Sequence, residues 1–148
     1  MMTDKEFEDY KKNRYQDQVN WYSDKASTNK KYYQIFQWGV IILSAILPVL
    51  ISALADEYKW MALSISVILA IGTTSLKTFK FQENWVNYRT ISETLKKELH
   101  FFNASLDDYS SGENKRALFV DRVETLISRE NSLWVTTHIS TDEEKSKI

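Results

Sequence analysis

IFQWGVIILSAILPVLISALA, from Ile35 to Ala55, and WMALSISVILAIGTTSLKTF, from Trp60 to Phe79, are two apolar runs joined by Asp56-Glu57-Tyr58-Lys59. Each is about 20 residues long, so as a helix rising about 1.5 Å per residue each reaches roughly 30 Å, the thickness of a bilayer's hydrocarbon core. The first run holds no charged residue. The second holds only Lys77, near enough to its end for the ammonium to extend to headgroup level. The linker leaves room for a tight turn and nothing more. The stretch reads as a transmembrane helical hairpin, with lipid as its solvent, that carries the rest of the chain.

The remainder is strongly polar, which is why the mean hydropathy of the whole is slightly negative. The 148 residues suit one domain. A net charge of -1 offers no field for nucleic acid, so no nucleic-acid partner is expected. There is no cysteine, hence no disulfide, thiolate nucleophile or thiolate metal site. The three glycines and single proline argue for long helices, because turns and sheets consume both residue types. Residues 1–20 lack the apolar core of a secretory signal, so the first run is expected to act as the insertion signal and to stay.

The expected fold is an all-α membrane protein, a two-helix hairpin continuous with a cytoplasmic helical bundle. Residues 1–34 form a cytoplasmic amphipathic helix, opened by a capping box in Thr3-Asp4-Lys5-Glu6. Its face is read as Phe7, Tyr10, Arg14, Gln18, Trp21, Tyr22 and Lys25. The hairpin occupies 35–79, as spans 35–55 and 60–79. Cytoplasmic helices follow over 80–103 and 116–135, and 136–148 is a flexible tail. The second span is expected to run on as one rod through Phe81, Trp85, Tyr88, Ser92, Leu95, Leu99 and Phe102, with no Gly or Pro to break it. Asp107 to Asn114 reads as a loop. The last helix carries a stripe of Phe119, Val123, Leu126, Ile127, Glu130, Leu133 and Trp134. Lys25, Lys30, Lys31, Lys77, Lys80 and Arg89 flank the outer ends, against Lys59 in the turn. The positive-inside rule puts both termini in the cytoplasm of a cell or inner membrane.

Candidate functional residues follow from this topology. Ser44, Pro48 and Ser52 form one stripe, and Pro48 frees the Ser44 carbonyl. Ser66, Thr73 and Thr74 give the second helix a similar set. Such residues serve either close packing within the hairpin or the lining of a pore built by several hairpins. Asp56 and Glu57 would ring a pore mouth in an oligomer. Arg14, Gln82, Glu83, Arg89, Arg122 and Glu130 are the candidate cytoplasmic polar network, with Arg14 or Arg122 expected to meet Glu83 or Glu130. His100 and His138 lack ligand spacing, and no phosphate loop or nucleophile set occurs. No enzyme activity, cofactor or metal is expected.

Three blocks carry a resemblance. They are Asp17-Gln18-Val19-Asn20-Trp21-Tyr22 with Lys25-Ala26 and Asn29-Lys30; Phe79-Lys80-Phe81-Gln82-Glu83-Asn84-Trp85 with Tyr88-Arg89; and Phe119-Val120-Asp121-Arg122-Val123-Glu124 with Glu130-Asn131-Ser132-Leu133-Trp134. Over residues 10–135 the chain resembles the SLATT group, the SMODS- and SLOG-associating two-transmembrane effector domains of bacteria. The resemblance implies a membrane effector in conflict or anti-phage systems, which assembles and permeabilises the membrane when a nucleotide-signalling partner protein acts. The expected function is thus a homo-oligomeric pore-forming or ion-conducting effector. The alternative is a membrane-anchored scaffold presenting its helical bundle to a soluble partner.

Overall fold

The computed structural model describes residues 2–53, 56–110 and 114–128. The expectations for Glu130, Leu133, Trp134, His138 and the tail over 136–148 lie outside the described residues. Within them the chain is all-helical, with no strand. Helix α1 is Asp4–Tyr10, α2 is Gln16–Ala53, α3 is Lys59–Phe79 and α4 is Phe81–Ala104. Residues 115–128 form α5. The chain divides into two compact units, one of 1–22 with 90–148, the other of 23–89.

The first unit is held by aromatic rings. Phe119 of α5 lies 5.8 Å from Phe7 of α1, 5.4 Å from Tyr15 and 5.1 Å from Phe102 of α4. Tyr109 closes the cluster edge-on to Phe102 at 5.8 Å. Phe119, Tyr109, Leu95 and Val123 are wholly buried. The faces read for α4 and for the described part of the last helix are therefore the packed ones.

The face read for the first helix is displaced. The capping box forms as expected, with Thr3 N–H donating to Glu6 Oε2 at 2.8 Å and Glu6 N–H to Thr3 Oγ1 at 3.3 Å. Beyond it, Lys11–Tyr15 is a π-helical turn, in which Gln16 N–H donates to the Lys11 carbonyl five residues back. A wider turn inserts one extra residue into the register. The buried set thus becomes Phe7, Tyr15, Val19, Tyr22 and Ala26, while Arg14 and Trp21 turn outward.

The second unit is the hairpin. Asp56–Tyr58 is a single 3₁₀ turn, and Lys59 pairs with Asp56 across it. On α2, Gln37, Val40, Leu43, Leu47 and Leu50 are the half-buried positions. On α3 they are Ile65, Ser66, Leu69, Gly72, Ser75 and Leu76, after the buried Ala62. The two helices close at Gly72, where an added Cβ would lie 3.2 Å from Val40 Cγ2. Helix α2 runs unbroken through Pro48. The expected continuous second rod is not observed. Lys80 takes φ 48° and ψ 35°, a left-handed residue that ends α3 one position before α4 begins.

Helix α4 ends in a Schellman motif, with Leu106 N–H on the Phe101 carbonyl at 3.0 Å and Ser105 N–H on that of Phe102 at 3.2 Å. Ser105 supplies the left-handed residue at φ 52°. Truncating Phe119 to Ala should cost about 3–5 kcal/mol, the usual range for a buried aromatic. Thermal unfolding in detergent, followed by circular dichroism, measures this, and a loss below 1 kcal/mol would remove Phe119 from the centre of the core.

Candidate functional site

Hairpin and helical unit each hold part of the candidate set. In the hairpin, Ser44, Pro48 and Ser52 are exposed and lie off the leucine stripe that faces α3. The stripe is thus not among the half-buried positions of the hairpin. Ser66 is half-buried, whereas Thr73 and Thr74 are exposed. All three hydroxyls turn back on their own helix. Ser66 donates to the Ala62 carbonyl at 2.9 Å, Thr73 to Leu69 at 2.9 Å and Thr74 to Ala70 at 2.8 Å. Ser52 does the same to Val49 at 3.0 Å. A groove of about 430 Å³ runs along the open side of α3 between Val67, Ala70, Ile71, Thr74 and Phe79. Asp56 and Glu57 are exposed in the turn, and the Lys59 ammonium already pairs Asp56.

The apolar surface of the hairpin is mostly uncovered. Ile35 and Leu63 are each 68% exposed, and Trp38, Val49, Trp60 and Ile71 are nearly as open. In the most apolar 18-residue window of each long helical stretch, 0% and 6% of the residues are buried. Both stretches are long and apolar enough to cross a membrane.

The polar network is built differently from the expectation. Arg14 forms a two-pronged pair with Glu124, Nε to Oε1 at 3.2 Å and Nη2 to Oε2 at 3.1 Å. The Tyr10 hydroxyl donates to the same Oε1 at 2.9 Å. Arg122 reaches Glu98 at 3.6 Å, Asp107 at 3.7 Å and also Asp108, and the Tyr109 hydroxyl donates to Glu98 at 2.9 Å. Neither arginine's pair is with Glu83, which instead sits 3.9 Å from Lys80. Gln82, Glu83 and Arg89 occupy exposed positions of the first turns of α4, in the hairpin unit. Glu130 lies outside the described residues.

Glu98, Glu124, Tyr10 and Tyr109 are thus the partners in these networks, and the sequence reading assigned none of them to the polar network. The usable signal was Tyr109, a large aromatic in an otherwise polar loop. The arginine hydrogen bonds outweigh partial burial and, aided by Tyr10, hold the Glu124 carboxyl below its usual range. Burial, and then the charge of Glu98, push the Tyr15 hydroxyl up to about 12, and that hydroxyl donates to the Leu95 carbonyl at 2.8 Å. Ser92 is buried on the same helix with no hydrogen-bond partner among the described residues. Among those residues, no group of three or more His, Cys, Asp or Glu is arranged to hold a metal.

The model of a family described as "Protein of unknown function (DUF4231)" matches residues 17–117. The chain belongs to the DUF4231 family. The match takes in the hairpin, α4 and the 3₁₀ turn at Asp107–Tyr109. It leaves Tyr10, Arg14, Arg122 and Glu124 outside, so the DUF4231 segment contains none of the Arg14 network and only the carboxylate side of the Arg122 one. No curated protein and no solved structure matches this DUF4231 chain.

With side chains 48% and 39% exposed, the Arg14–Glu124 pair should contribute only about 0.5–1 kcal/mol in a double-mutant cycle. Because the folded Glu124 value is lowered, its stabilisation is complete above the unfolded carboxylate value of about 4.3 and is lost as pH falls through the folded one. Acid unfolding of Glu124→Gln should accordingly be shallower than that of wild type, and identical acid limbs would remove the pair from the account. Ser92→Ala removes an unsatisfied hydroxyl and should raise stability by about 1 kcal/mol, read as a higher Tm.

Proposed function

We propose that this DUF4231 protein is a two-pass membrane protein whose hairpins assemble into a homo-oligomeric, ion-conducting pore. The observation that carries the reading is the uncovered apolar surface of α2 and α3, together with a stripe of Ser44, Pro48 and Ser52 that the hairpin's own packing leaves free. Water cannot solvate that surface without a large penalty, at about 25 cal/mol per Å². Lipid and further copies of the hairpin remove it from water together. Two helices enclose no water path, so conduction requires several hairpins.

The lysines flanking the outer ends of the spans support an orientation with both termini and the aromatic helical unit in the cytoplasm. Asp56 and Glu57 then stand at the outer mouth, where Glu57 is the carboxylate left to attract cations, Asp56 being paired to Lys59. The resemblance to the SLATT effectors supports a role in bacterial conflict, with permeation as the output and a nucleotide-signalling protein as the trigger. It is also consistent with the DUF4231 match.

Purified protein reconstituted in liposomes should pass monovalent ions, with a flux that rises steeply with protein density. Ser44→Leu with Ser52→Leu should reduce that flux at least ten-fold while leaving membrane insertion, measured by resistance to alkaline extraction, unchanged. A dimer with a sealed centre, impermeant at every density, would sink the pore and leave the protein as a membrane-anchored scaffold for its helical unit.

A further inference from the structure

From Thr73 to Ser111 the sequence holds neither glycine nor proline. Local propensity there favours one uninterrupted helix, yet the backbone breaks at Lys80. A left-handed residue is a common helix terminator, but the position is normally glycine or asparagine, and a side chain with a Cβ pays a steric penalty there. After such a terminator a chain ordinarily leaves through a loop. Here α4 starts at the next residue, Phe81. A strained residue of this kind persists only where its surroundings hold it.

The surroundings are specific. In a continuous helix the Phe79 carbonyl would accept the amide of Glu83. In the broken one it accepts the Asn84 side-chain Nδ2 at 3.3 Å. The Phe81 ring stacks 5.5 Å from Phe79 and 5.9 Å from Phe36 of α2, and lies 5.7 Å from Tyr32. Lys77 in the last turn of α3 and Glu83 in the first turn of α4 suit two helix ends, each charge opposing the local dipole. The break is thus favoured by aromatic stacking, one side-chain cap and two placed charges. It is opposed by the Cβ of Lys80 and by the helical preference of the whole segment.

We propose that Lys80 is a two-state joint. In the bent state it is left-handed and Phe81 is locked between Phe79 and Phe36. In the straight state Lys80 takes right-handed helical angles and α3 and α4 become one helix from Lys59 to Ala104. A glycine at this position would favour the bend by removing the steric penalty, whereas lysine keeps the two states closer in energy. The joint goes beyond the pore reading and does not need the hairpin to conduct; in a conducting assembly it is the element that ties the membrane span to α4.

The chain lacks cysteine, so spin labels can be placed at Ile71→Cys and Asn87→Cys, both exposed, in protein reconstituted into lipid nanodiscs. The straight state separates these positions by about 24 Å along the axis at roughly 1.5 Å per residue, and the bent state by less. Pulsed electron resonance should find both populations. Lys80→Gly should lower the long-to-short ratio by about five-fold or more, and Lys80→Val, whose branched Cβ resists the left-handed region, should raise it by a similar factor. Asn84→Ala should raise it too. One unchanging distance across all four proteins, short or long, would overturn the joint. The distances are read without any flux, so a sealed hairpin leaves the joint standing, and a leaky hairpin with one fixed distance refutes the joint alone.

Discussion

Helices α2 and α3 can each hide one stripe against the other, and among the described residues the rest of their apolar surface stays exposed. The stripe is narrow, running through Val40, Leu43 and Leu47 on one side and Leu69, Gly72 and Leu76 on the other. It leaves Trp38, Val49, Leu63 and Ile71 facing outward. This imbalance between apolar surface and the chain's own capacity to bury it governs the molecule. Under the membrane reading proposed above, lipid is the solvent that meets it. Ser52 on α2 and Ser64, Ser66, Thr73, Thr74 and Thr78 on α3 spend their donors on carbonyls of the previous turn, as suits an apolar surrounding in which an unpaired donor would cost several kcal/mol.

The helical unit obeys water's rules instead. Its centre is aromatic, and its charges sit around the rim in pairs that join elements far apart in sequence. Asp4 meets Arg116, Arg14 meets Glu124, and Arg122 meets Glu98 together with the turn at Asp107 and Asp108. The Arg14–Glu124 and Asp4–Arg116 pairs are exposed enough to add little stability, whereas Arg122–Glu98 is largely screened from water. The aromatic core supplies most of the energy that holds α1, α4 and α5 together.

How much of this was legible in the sequence depended on whether the signal was periodic. The two spans, the capping box at Thr3 and the apolar face of α4 were readable, because each repeats or sits at fixed spacing. The π-helical turn at Lys11–Tyr15 was not, because it is a defect in a repeat: Phe7 and Tyr22 of the expected face are buried, but Tyr15, Val19 and Ala26 take the places read for Arg14, Gln18 and Lys25. The break at Lys80 escaped for the opposite reason. Nothing local forbids a helix there, and its causes are Asn84 and a ring on α2 that only folding brings near. The partners of Arg14 and Arg122 were hidden likewise, since a charge at a stripe position announces that it needs a counter-charge without saying which.

The inward-bonded hydroxyls of α3 have a consequence for how this surface meets its neighbours. With Thr73 and Thr74 turned onto Leu69 and Ala70, the side of α3 beyond the hairpin stripe presents methyl groups, and it behaves as a hydrocarbon wall despite its polar composition. Wetting that wall requires no movement of backbone. Nor does it require the internal bonds to break, since each hydroxyl oxygen keeps lone pairs on which a water molecule can donate while the hydroxyl still bonds its carbonyl.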